Sequence, residues 1–227
     1  MKAHLQRSNS GRRQAVANRA KPGKRIIKKQ RTKERILEVA LDLFCRKGLH
    51  GATTKEISRK AGIAEGTLFN YFETKEDLAL YFFEKEAEEV MKWFAAEKSL
   101  RRAPLAEQLF SVIQRQLDYI TPYEAFIGEV VFRSLQPRSK LNPLSLESQE
   151  RWIGYLRFIR GILEAAEKRG EIPELGDLGA YAFAAYYMGI VTYWLHDNSR
   201  GKQKTLALLD RSLAMALAIL RKGDWKW

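Results

Sequence analysis

The chain has 227 residues, with 40 Lys and Arg against 27 Asp and Glu, 45% hydrophobic residues and one cysteine. That supports one large domain or two small ones with a sizeable core, which excludes wholesale disorder. The lone cysteine excludes a disulfide framework and a cysteine-based zinc site. The net charge of +13 favours association with nucleic acid but says nothing of the fold.

Residues 1–29 carry ten Lys and Arg and no acid, and the remainder of the chain is close to neutral. This segment lacks the apolar run of a secretory signal and reads as a flexible basic tail. From Thr32 onward Ile36, Leu37, Ala40, Leu41, Leu43 and Phe44 recur at helical spacing, and Gly48 ends that helix. Thr53 and Glu56 have capping-box spacing and open a second helix that stops at Gly62. A third, short helix spans residues 64–72. A fourth starts at Thr74, with Asp77 at the third helical position, and continues to about residue 97. Five more follow, at about 104–120, 122–135, 144–169, 177–196 and 202–221, separated by Pro- and Gly-bearing loops. Residues 178–195 carry no charge. They are shorter and richer in small residues than a membrane span, so they predict a buried helix–helix contact. No alternating strand pattern appears, and the fold class is all-α.

Residues 53–72 place two short helices on either side of a turn at Gly62, which is a helix-turn-helix arrangement. Gly62 supplies a backbone conformation that other residues adopt at a cost. Ile57, Ile63, Leu68 and Phe72 lock the helices together. Glu65, Gly66, Thr67, Phe69, Asn70 and Tyr71 are left exposed. Asparagine pairs bidentately with adenine, threonine reaches base edges and an aromatic ring touches the thymine methyl. Tyr71, Lys75 and the capping threonines suit phosphate.

The run from Ala61 to Phe72, followed by Thr74-Lys75-Glu76-Asp77-Leu78, resembles the tetracycline-repressor (TetR) family of bacterial transcription regulators, and the match covers about Gln30 to Leu80. The resemblance implies an all-α homodimer in the cytoplasm. A basic tail (1–29) would precede an amino-terminal three-helix DNA-binding domain (30–78). A carboxy-terminal helical domain (79–227) would dimerise and take up a small effector that releases operator DNA. Carried over by position, Thr54, Lys55, Gly66, Thr67, Phe69, Asn70, Tyr71 and Lys75 fall at DNA contacts. Ala64 departs from the family's common serine and forgoes a cap worth about 0.5–2 kcal/mol. Phe69 departs from a common tyrosine, and Glu65 suits the helix dipole but repels phosphate.

The second domain is rich in aromatic residues, which suits an apolar or aromatic effector, although aromatics at helical spacing are also ordinary core. Trp93, Phe110, Tyr123, Phe126, Trp152, Tyr155 and Tyr186 are the candidate effector residues, chosen because they lie in helices that surround the pocket in similar proteins. Tyr193, Leu206, Leu209, Leu213 and Leu217, with Tyr186, are the candidate dimer contacts on the last two helices. Cys45 reads as a small core residue, and His4, His50 and His196 are isolated, so no metal site, cofactor or membrane partner is expected. No catalytic motif is present, and the chain is not expected to be an enzyme. The alternatives are an architectural protein that binds DNA without regard to sequence, an activator of the same fold, and an enzyme or carrier with a helical pocket.

Overall fold

The structure, a computed structural model, describes residues 23–222. The predicted tail lies outside the described residues up to position 22. The described residues divide into two compact units, 23–35 and 36–222. Nine α-helices appear among the described residues: α1 (Lys24–Gly51), α2 (Thr54–Lys60), α3 (Glu65–Phe69), α4 (Lys75–Ala96), α5 (Leu105–Ile120), α6 (Glu124–Ser134), α7 (Leu146–Lys168), α8 (Gly176–His196) and α9 (Gln203–Lys222). Each coincides with a helix expected from periodicity, and no strand occurs among the described residues.

In the first unit, α1 begins at Lys24 and not at Thr32. The Gly23 carbonyl accepts the first bonds, from Ile26 N at 2.8 Å and Ile27 N at 3.2 Å. Thr32 is not a cap, since its hydroxyl donates one turn back to the Lys28 carbonyl at 3.0 Å. The lysines, arginines and glutamine of 24–31 are good helix formers, and Pro22 and Gly23 stop the pattern before them. Residues 24–29, read as part of the flexible tail, are therefore helical.

In the second unit, α1 buries Ile36, Leu37, Ala40, Leu41, Leu43 and Phe44, the face read from the sequence. Its regular course breaks at Gly48, whose φ of 76° and ψ of 163° lie outside the helical region. A side chain at Gly48 would also collide with the Glu129 carboxylate, so glycine is required there on two counts. The helices after α4 form a second layer in which α7 packs on α8, α4 on α5 and α7, and α5 on α9. Close approach of α7 and α8 depends on Gly179, where a Cβ would come within 3.0 Å of Leu163 Cδ1. The uncharged segment is thus a packed helix, and among the described residues no helix is long and apolar enough to cross a membrane. Helix α4 passes unbroken through Leu78, the residue at which the expected DNA-binding domain ends.

Candidate functional site

The DNA-reading candidates are built from short-range interactions. Thr53 caps α2 by accepting from Glu56 N at 3.1 Å. The capping box stays half-made, because the Glu56 carboxylate turns to Lys47 Nζ at 2.8 Å. Gly62 then takes a φ of 65°, the left-handed turn that the motif requires. Ala64 stands at the N-cap of α3 with no side-chain bond, as its methyl group dictates. Helix α3 proper ends at Phe69, earlier than the periodicity suggested, with Asn70 as its C-cap. The turn persists nonetheless, since Phe72 N still donates to Leu68 O at 3.0 Å. Leu68 and Phe72 are buried. Lys55, Gly66, Phe69 and Asn70 are exposed on the other side, and Thr67 and Tyr71 are half-buried.

Two of the candidates have structural duties as well. Thr54 donates its hydroxyl to Glu65 Oε1 at 2.7 Å, which ties the start of α2 to the start of α3. Lys75 donates to the carbonyls of His50 at 3.0 Å and Ala52 at 2.9 Å, satisfying acceptors that the end of α1 leaves open. Burial lowers the Lys75 pKa, and nearby Arg133 lowers it further. The start of α4 carries a complete capping box between Thr74 and Asp77.

Three long-range ties, none apparent from sequence, join this region to the second layer. Glu129 on α6 accepts from Leu49 N at 2.6 Å, just past the break at Gly48. Glu76 accepts from Ser139 Oγ and from Lys140 N, each at 3.1 Å. Lys140 Nζ lies 3.3 Å from Asp77 Oδ2. The loop after α6 therefore grips the first turn of α4.

The aromatic candidates divide into groups. Tyr123 and Phe126 pack on Phe82 at ring-centroid distances of 5.1 and 5.5 Å, and Phe126 stacks on Phe44 of α1 at 5.4 Å. Trp152 packs on Tyr155 at 5.7 Å and on Phe83 at 6.2 Å. Because Phe82 also touches Phe83 at 5.1 Å, these four candidates belong to one aromatic chain running from α1 into the second layer. Trp93 and Phe110 are partly buried against the core, and Arg115 lies over the Trp93 ring at 5.8 Å. Tyr186 stands apart, with its hydroxyl 2.7 Å from Ser212 Oγ on α9. Cys45 is half-buried, and burial raises its thiol pKa, which fits an unreactive core position.

Of the dimer candidates, Leu209, Leu213 and Leu217 are buried in the chain's own core against α5 and α8. Their i, i+4, i+8 spacing marks the inward stripe of α9, so they are committed within the chain. Leu206 is half-buried and Tyr193 exposed. The apolar side chains that α9 turns outward are Leu208, Met215 and Ile219.

Sequence reasoning missed a buried polar group inside the second layer. Glu86 is fully buried on α4, with Tyr187 OH at 3.5 Å from its Oε1. Gln116 on α5 is also fully buried and accepts from Tyr155 OH at 2.7 Å. Glu86 Oε2 and Gln116 Nε2 have no hydrogen-bond partner among the described residues. Burial drives the Glu86 pKa up to about 8, against the lowering influence of the Gln116 amide and the Tyr187 hydroxyl beside it. The available signal was a glutamate on the stripe Phe82, Glu86, Val90, where both neighbours four residues away are apolar.

Two family descriptions match the chain. Residues 36–82 match that of bacterial regulatory proteins, tetR family, and residues 108–226 match the tetracyclin repressor-like C-terminal domain. The chain belongs to the TetR family. Among its TetR-family relatives is the transcriptional regulator SrpR of Pseudomonas putida, 23% identical over 195 residues, covering 85% of this chain and 87% of that protein. The fatty acid metabolism regulator protein of Bacillus subtilis is 27% identical over 143 residues, covering 61% of this chain and 70% of that protein. Two solved structures share the fold. FadR from Bacillus subtilis, in complex with stearoyl-CoA, superposes with a TM-score of 0.61 at 24% identity, covering 85% of this chain and 99% of its own. A TetR regulator from Nitrosomonas europaea superposes with a TM-score of 0.63 at 18% identity, covering 82% and 98%. The TetR amino-terminal match encloses the whole helix-turn-helix, so the chain is a DNA-binding transcriptional regulator with an all-helical second domain.

Proposed function

We propose that the protein is a ligand-responsive repressor that binds a near-palindromic operator as a homodimer in the cytoplasm and is released by a small apolar or aromatic effector. The observation that carries this reading is the sharing of α4 between an exposed DNA-reading face and a buried aromatic core. Asn70, Thr67 and Phe69 read base edges, and Lys55, Tyr71 and the basic segment 1–29 hold phosphates. Thr54 and Lys75 set the pose of the reading head as well as touching DNA, which their internal bonds support. Tyr193, Leu206, Leu208, Met215 and Ile219 form the face that meets a second copy, replacing the inward leucines of α9. The effector enters among Trp93, Phe110, Tyr123, Phe126, Trp152, Tyr155 and Tyr186. Its binding shifts α4 and α6, and the Glu129 and Lys140 ties pass that shift to the reading head. A ligand-bound regulator of the same fold is FadR from Bacillus subtilis, solved in complex with stearoyl-CoA.

The test is selection of binding sites from random duplexes with the purified full chain, followed by competition with unrelated DNA. The expected outcome is a near-palindrome whose half-site centres lie about 34–36 Å apart, one helical turn. Binding without sequence preference would replace this reading with the architectural one. A reporter under the selected operator, with the gene present or deleted, separates repression from activation.

A further inference from the structure

Four polar side chains from four helices meet where the second layer is otherwise apolar. Glu86 comes from α4, Gln116 from α5, Tyr155 from α7 and Tyr187 from α8. All four are buried, with Glu86 and Gln116 at 0% exposure. Buried polar atoms are paired in the great majority of cases, so an unpaired carboxylate oxygen beside an unpaired amide nitrogen calls for an explanation. A purely structural network would close on itself, and this one leaves an atom open on each of its two central members.

Tyr187 donates to Glu86 and the Gln116 amide faces it, so the neighbours already favour the ionised carboxylate. Among the described residues no lysine, arginine or histidine contributes to the environment of Glu86. Tyr119 on α5 is the other titratable group that interacts with it, and its own pKa is pushed up to about 12, mainly by burial. An aromatic run extends from Tyr155, a member of the group. Tyr155 lies 5.9 Å from Phe158 and 5.7 Å from the half-buried Trp152, and Phe158 lies 5.3 Å from Phe94. Aromatic faces beside a carboxylate attract organic cations.

We infer that Glu86, Gln116, Tyr155 and Tyr187 form the polar anchor of the effector site, and that the effector is an organic cation, an ammonium group on an aromatic or aliphatic body. This deepens the ligand-responsive reading above and rests on it. Trp152, the solvent-side member of the aromatic run, turns aside to admit the ligand. At pH 7 the Glu86 carboxyl carries its proton, and ionising it opposes binding by a factor of about ten. A unit charge about 4 Å away in a medium of effective dielectric 20 returns roughly a thousandfold. A neutral ligand makes one hydrogen bond and gains far less. The exchange balances: the carboxylic acid and the ammonium ion give a carboxylate–ammonium pair, and one proton leaves to the buffer.

The experiment is calorimetry on the full chain at pH 7 with 2-naphthylmethylamine, protonated at that pH, the neutral 2-naphthylmethanol and the anionic 2-naphthoate. Each is measured in two buffers of unlike ionisation heat. The expected result is amine binding at least tenfold tighter than alcohol binding, naphthoate weakest, and close to one proton released per amine bound. In Glu86→Gln, with its helical circular dichroism intact, the preference for amine over alcohol and the proton release both disappear. An amine that binds no tighter than the alcohol, or not at all, overturns the inference, as does a Glu86→Gln protein that keeps the preference. Binding of the alcohol or naphthoate with release of operator DNA, but no amine preference, fells the cation and leaves the ligand-responsive regulator standing.

Discussion

The DNA-reading region and the second helical layer place their polar groups in opposite ways. In the first, Thr53, Thr54 and Thr74 make bonds to partners at most 11 residues away, and the base-reading candidates face solvent. In the second, the informative polar groups are buried and held over long separations, 39 residues for Tyr155 and Gln116 and 101 for Tyr187 and Glu86. On the proposed function, the contrast follows from what each region meets. DNA is a large external partner, so its contacts stand on an exposed face whose shape is set by local caps. A small molecule must be surrounded, so its contacts come from helices far apart in the chain. The lesson is that local rules reveal a surface reader well and an enclosed site poorly.

The largest expected effect tests the buried side of this contrast. The folded-state pKa of Glu86 is raised from 4.5 to about 8, so the folded protein holds a proton that the unfolded chain has lost. Stability therefore falls as pH rises from about 4.5 to 8, by about 4–5 kcal/mol. Glu86→Gln is expected to flatten that decline and to unfold at a higher temperature than the natural protein at pH 8. Parallel melting curves of the two proteins from pH 5 to 8 would contradict it.

Asn70→Ala tests the exposed side. It should weaken binding to the selected operator by about 1–3 kcal/mol, the range for one bidentate base contact, while leaving binding to unrelated DNA nearly unchanged. Gel-shift titrations on both duplexes decide this, and equal losses would remove Asn70 from base reading. Glu129→Ala tests the join between the regions. It strips a charged acceptor from Leu49 N, which should lower stability by about 1–3 kcal/mol in chemical denaturation. It should also blunt operator release by a ligand that still binds. The smallest effect is a gain: Ala64→Ser restores the missing cap of α3 and should add about 0.5–2 kcal/mol of thermal stability. An unchanged melting temperature would mean that tertiary packing already fixes the start of α3.

The nine helices were legible because their signals are local. Periodic apolar residues, Thr74 with Asp77, and glycines at the breaks each act within a turn or two of themselves. The helix-turn-helix was legible for the same reason, as was the exposure of Gly66, Phe69 and Asn70, while Glu65, Thr67 and Tyr71 are half-buried. Other features were not, and each has a physical cause. A leucine stripe looks the same whether it faces its own core or a second copy, and the burial of Leu209, Leu213 and Leu217 in the chain's own core shows only once the helices have packed. Thr54 and Lys75 have the residue types of phosphate contacts, yet partners across the fold also occupy them. The aromatic candidates could be named but not arranged.

The sequence by itself determined the all-helical class, the TetR-type helix-turn-helix and the inward stripe that holds its helices together, because helix periodicity and capping chemistry depend on near neighbours. Only the tertiary structure decided that Glu129 closes the end of α1, that the loop after α6 grips α4, and that Glu86 and Gln116 meet with an open atom each. Those contacts join residues separated by 30 to 80 positions. No local rule reports such pairings, since they exist only once the helices have packed.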